Sequence, residues 1–173
     1  MDSGPPGRSS QPHYLHGMPA SSTTVSRSIA APRAVVYRAL IEPQLLVRWR
    51  FPEGMRAEVH AFDACEGGAY RMSLTYTEPG DVGLGKSTSN TDTFEGRFAE
   101  VVESERVVEL IHFSSPDPRF SGEMRMTTEL TDAAGGTTVT IRCDGIPAGI
   151  KPSDNEEGSR MALDNLARLM ERG

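Results

Sequence analysis

Phe62-Asp63-Ala64-Cys65-Glu66-Gly67-Gly68-Ala69-Tyr70-Arg71-Met72-Ser73-Leu74-Thr75-Tyr76 reads as a strand end, a turn and a complete second strand. Tyr70, Met72, Leu74 and Tyr76 are bulky and apolar. They alternate with Ala69, Arg71, Ser73 and Thr75, which is the period of a strand with one buried face. Residues 55–62 precede them as a partner strand, and residues 63–68 form a turn in which glycine can take positive φ. The pair is a hairpin whose bulky side faces a core.

Upstream, Pro32 fits the first turn of a helix, and Val36, Tyr37 and Leu40 continue it at helical spacing to about Ile41. Pro43 opens a second short helix, with Leu46 and Trp49 on one side, and Pro52 stops it. Residues 23–29 suit a half-buried strand through Val25 and Ile29, although Arg27 interrupts that face. Residues 1–22 are rich in Pro, Gly and Ser and show neither period, so they read as a disordered tail ahead of one domain spanning 23–173. His13 and His16 in that tail read as solvated side chains.

Downstream, residues 77–90 form a Gly/Ser/Thr-rich connection, long for a hairpin, that is either a lid or simply a loop. Four strands follow, at 92–102, 106–113, 122–131 and 137–144, with short connections that favour an antiparallel meander. After Pro152 the apolar residues Met161, Leu163, Leu166, Leu169 and Met170 sustain a helical face, with Ser153 or Asp154 placed to cap its start. The class is α+β: a curved antiparallel sheet gripping a long C-terminal helix, with two short helices after the first strand.

The chain has 173 residues and a formal charge of −6, enough for one domain with a real core and against nucleic acid as a partner. No apolar run approaches the roughly 20 residues needed to span a bilayer, and no signal peptide opens the chain, so a cytoplasmic location without membrane attachment is expected. Cys65 and Cys143 lack paired spacing and read as small buried residues in a reducing compartment. The same lack of spacing argues against zinc held by His60, Asp63, Cys65 and Cys143. No nucleophile elbow, phosphate loop, metal-ligand set or cofactor motif is present.

The order Ala31-Pro32, Val36 and Leu40, Trp49 before Pro52, Asp63 before Gly67-Gly68 and Tyr70, then Gly96, Gly136-Thr137 and Leu163…Leu166 resembles the helix-grip superfamily of START domains and birch-pollen allergens. The branch it is most similar to is the C-terminal domain of the activator of heat-shock-protein-90 ATPase. The resemblance runs from about Thr23 to Glu171. Two departures from the family pattern stand out: Trp49-Arg50-Phe51 replaces two adjacent tryptophans and a glycine, and Ser159 replaces an aromatic. The resemblance therefore implies the fold and leaves the substrate open.

A sheet gripping a helix leaves a cleft between them, and such clefts are mostly apolar with a few orienting polar groups. Its expected lining is Tyr70, Met72, Leu74, Tyr76, Phe94, Phe98, Ile111, Phe113, Met124, Met126, Val139 and Ile141, faced by Leu163, Leu166 and Met170. The alternative is that these side chains simply fill the core. Trp49, Tyr70 and Tyr76 combine apolar bodies with hydrogen-bonding tips that could orient a ligand. A void above roughly 300 Å³ would favour a ligand, and a packed interior would favour surface docking.

Asp63 is expected to fix its turn by accepting backbone N–H bonds. His60 shares a face with Arg56 and Glu58 and reads as solvent-side, opposite Ala57, Val59 and Ala61. The strand at 106–113 is apolar on both faces, so the direction of His112 is open. If Ile111 and Phe113 face inward, Glu109 becomes a buried carboxylate serving as acid or anchor. The leading expectation is binding of a small apolar molecule without strong catalysis. The resemblance also implies two alternatives: a regulator docking on a chaperone or other protein, and a cyclase- or aromatase-like enzyme using Glu109, His112 or a tyrosine as acid/base.

Overall fold

A computed structural model describes residues 21–52, 54–76 and 91–172. Residues 1–20 of the expected disordered tail and the connection at 77–90 lie outside these residues; Ser21 is described, and Ser22 already belongs to the first strand. The elements are β1 (Ser22–Ile29), α1 (Arg33–Ile41), α2 (Pro43–Leu46), β2 (Met55–Phe62), β3 (Ala69–Tyr76), β4 (Thr91–Val102), β5 (Arg106–Phe113), β6 (Met124–Ala133), β7 (Gly136–Asp144) and α3 (Pro152–Glu171). A 3-10 turn, Pro118–Phe120, lies between β5 and β6. The seven strands form one antiparallel sheet in the order β1-β7-β6-β5-β4-β3-β2.

The sheet follows the expected meander from β2 to β7, after which β1 pairs with β7. The two short helices carry the chain from one edge strand, β1, to the other, β2. α3 packs against β1 and α1, burying Ala162, Leu163, Leu166 and Ala167. Arg27 proves compatible with its strand because, on the face that α3 covers, it reaches the rim and pairs with Asp164 of that helix. Both side chains are about 40% exposed, so the pair steers the helix more than it stabilises it. No described helix is long and apolar enough to cross a membrane.

Local geometry corrects several sequence expectations. The pairing of β2 with β3 shifts between Val59 and Ala61. The bulge turns Ala61 outward and Phe62 inward, where its ring meets Tyr70 and Phe98. Strict alternation had placed Ala61 in the core. α3 starts with Pro152 after Lys151 and has no side-chain cap, so neither Ser153 nor Asp154 performs that task; proline's fixed φ suits the first helical position. In the 63–68 turn, Gly67 has φ of +82°. Here the Asp63 backbone carbonyl accepts the Cys65 N–H at 2.9 Å, and the carboxylate accepts the Cys65 thiol. The main chain thus fixes this turn, and Cys65 is exposed whereas Cys143 is buried; both are free thiols.

Candidate functional site

The inner face of the sheet is divided. Tyr70, Met72, Phe98, Val139, Leu163 and Leu166 are almost fully buried and pack as core. Trp49, Leu74, Phe94, Ile111, Phe113, Met124, Met126 and Ile141 instead line a cleft of about 240 Å³ beneath the first half of α3. Tyr76 is half-buried and donates its hydroxyl to Asp92 at 3.2 Å. Met170 packs on the edge of the core.

α3 itself explains why the hollow exists. From residue 163 onward it presents Leu163, Leu166 and Ala167 to the core, but up to residue 162 it presents Asn155, Gly158, Ser159 and Ala162 to the cleft. A Cβ added at Gly158 would meet nothing within 4 Å. Small side chains on a helix held at one distance from the sheet leave space where large ones would fill it. These four residues, together with Arg50, Phe51, Pro52, Asp92 and Cys143, complete the lining and were missing from the sequence-derived set. The legible signal was the small-residue face at 158 and 162, spaced one helical turn apart.

The polar groups are arranged around Arg50. Its Nη1 donates to Glu109 Oε1 at 2.8 Å, with side-chain exposures of only 10% and 6%. β5 points Glu109 and Ile111 inward, which settles the strand's direction, and Glu109 lies behind Arg50 as its counter-charge. Burial lowers the affinity of the Arg50 guanidinium for its proton, but the Glu109 carboxylate outweighs that effect and holds it above its ordinary value. His112 points outward and bonds Glu123 at 2.9 Å, and His60 is exposed against Ser73. Neither histidine is placed for acid–base work in the cleft.

The three aromatic tips differ from expectation. Trp49 lines the cleft, but its indole N–H already donates to the Ala39 carbonyl at 3.0 Å, so it offers a wall and no anchor. Tyr70 lies within the core, and among the described residues its buried hydroxyl has no hydrogen-bond partner. Burial first, then the nearby Glu109 charge, holds that hydroxyl well above the usual tyrosine range, with Arg50 opposing.

An unsatisfied buried hydroxyl costs roughly 1–3 kcal/mol. Tyr70→Phe is therefore expected to raise stability by about 1 kcal/mol in urea unfolding. The raised folded-state pKa means that the unfolded chain loses this proton first. The contribution of Tyr70 is complete below about pH 10 and is lost as pH climbs toward the folded value. Tyr70→Phe should accordingly shift alkaline unfolding to higher pH.

Cys143 also borders the cleft. Burial pushes its thiol up, against the opposing influence of Asn155, Arg50, Thr23 and Ser159. A protonated, enclosed thiol reacts slowly with alkylating agents.

Residues 30–171 match the family described as Activator of Hsp90 ATPase homolog 1-like protein. The chain belongs to this family. A solved Chromobacterium violaceum protein is 31% identical to it, with a TM-score of 0.75 over 87% of this chain and 96% of that one. A Rhodobacter sphaeroides protein has 21% identity and a TM-score of 0.72 over 88% and 93%. A protein of the dynemicin biosynthetic locus has 21% identity and a TM-score of 0.61, covering 87% of this chain but 47% of that one. The last two show the fold alone. No curated protein matches the chain. For an Hsp90-activator-like domain, membership supports a ligand-binding or regulator-like role and leaves the ligand unassigned.

Proposed function

We propose that this domain binds one small apolar molecule in the cleft between the sheet and the first half of α3. The observation that supports it is the cleft itself, about 240 Å³ walled mainly by aromatic, aliphatic and methionine side chains. That volume falls short of the void of roughly 300 Å³ expected above for a ligand, so the occupant must be smaller than a drug-sized molecule. A purely apolar cavity of about 150 Å³ holds benzene, so the size fits a single- or fused-ring compound of roughly 8–14 non-hydrogen atoms. Burial of its surface would provide the affinity, at about 25 cal/mol per Å² before ordering costs.

Trp49 is the chain's one tryptophan and lines the cleft, so ligand entry should change its fluorescence. Gly158→Phe projects a ring into the open space at the mouth. It should abolish the fluorescence response while leaving the unfolding transition intact, and Gly158→Ala should stabilise α3 by about 0.5–1 kcal/mol without blocking it. A saturable response to apolar ligands that survives Gly158→Phe would refute the site.

Alkylation gives a second measure. Cys65 should react at the surface regardless of ligand, whereas Cys143 should react slowly and be protected by it. Membership in the activator family supports a second reading, docking on a protein partner. Gly158→Phe separates the two, because filling the cleft should not disturb an outer docking face.

A further inference from the structure

The cleft is not uniformly greasy, and its polar donors show an unusual pattern. Among the described residues, Arg50 Nη2 finds its acceptor in the Met126 sulfur, at 3.9 Å. Asn155 Nδ2 reaches sulfur alone among the described residues, the Met124 thioether at 3.9 Å beside the Cys143 thiol. All five residues line the cleft. A sulfur is a weak acceptor, so two donors in the cleft lining lack a full-strength partner among the described residues. Buried donors in this condition favour an incoming oxygen over a hydrocarbon edge.

The charge around them selects the kind of oxygen. Arg50 is already matched by Glu109, through its other nitrogen at 2.8 Å. A ligand carboxylate would become a second anion sharing one guanidinium with Glu109 in a poorly solvated site, and the Asp92 carboxylate lies on the same lining. A ligand cation would meet Arg50 directly. A carbonyl oxygen accepts the free N–H groups without adding charge.

Resting on the cleft-binding reading above, we propose that the site selects an uncharged aromatic or aliphatic molecule carrying a carbonyl-type acceptor, a ketone, aldehyde, ester or lactone, held by Arg50 and Asn155. It discriminates against both a hydrocarbon and a carboxylate of equal size.

Acetophenone, ethylbenzene and benzoate form a matched probe set, titrated against the intact protein by NMR and Trp49 fluorescence. Acetophenone is expected to bind at least about tenfold more tightly than benzoate. Arg50→Met combined with Glu109→Leu removes the pair without stranding a charge, and should reduce acetophenone's affinity relative to ethylbenzene about tenfold. Should that variant not fold, the infrared carbonyl stretch of acetophenone bound to the unaltered protein gives the answer. A frequency below that in cyclohexane is expected, and the cyclohexane value would overturn the proposal. Benzoate as the tightest probe, or an unchanged ketone-to-hydrocarbon ratio in the double variant, would overturn it while leaving cleft binding in place. Absence of any saturable response to all three probes would remove both.

Discussion

Arg50→Met should cost about 3–5 kcal/mol in chemical denaturation, a large share of the roughly 5–15 kcal/mol that holds a domain of this size together. The loss comes from Glu109 more than from Arg50. With the guanidinium gone, a carboxylate 5% exposed on the inner face of β5 keeps neither its ion pair nor water to replace it. Glu109→Leu alone should be nearly as damaging, because it strands the guanidinium instead. Combining the two should recover most of the loss, since apolar replacement of a complete buried pair is close to neutral. A double-mutant cycle measures this directly, and a coupling below about 1 kcal/mol would mean the pair is solvated and the site wetter than its geometry indicates.

The pair also marks where sequence reasoning stopped. Alternation in 70–76 located the buried face of β3, since each strand residue there contributes one side chain to one face and no irregularity intervenes. In β2 the same rule failed after Val59, because a single unpaired residue inverts every face beyond it and periodicity contains no mark of such an insertion. In β5, apolar residues on both faces removed the signal altogether. Only the register against β4 and β6 makes Glu109 an inner residue.

Arg50 was visible as a departure from the family pattern, but a charged residue beside two aromatics reads as surface until its counter-charge is found 59 positions later in the chain. The division between packed core and open cleft was the least legible feature. It depends on side-chain size along one helix face at a fixed distance from the sheet, and Leu163 and Ala162 are equally apolar to any periodicity rule. Ser159, noted only as the loss of an aromatic, proves to line the space that a larger side chain would occupy.

Gly96→Ala is expected to destabilise the domain by about 3 kcal/mol, at or beyond the upper end of ordinary overpacking. Gly96 pairs across β3 and β4 with Tyr70, whose ring folds over the glycine. An added Cβ would lie 2.0 Å from Tyr70 Cζ and 2.3 Å from its hydroxyl oxygen. A flexible side chain would move aside, but this ring cannot. Its centroid lies 5.4 Å from that of Phe98, 6.0 Å from Phe62 and 6.2 Å from Phe94, and the residue is 1% exposed. Displacing it would push the cluster toward the cleft through Phe94, which lines it, so ligand response should weaken together with stability. Tyr70→Leu alone should also destabilise, through the volume it vacates. Joined to Gly96→Ala, however, it removes the colliding atoms, so the double variant should be more stable than the sum of the two losses by at least about 1 kcal/mol. Simple additivity in urea unfolding would show that the ring does not occupy the glycine's place, and the close packing of β3 on β4 argued from it would fail with it.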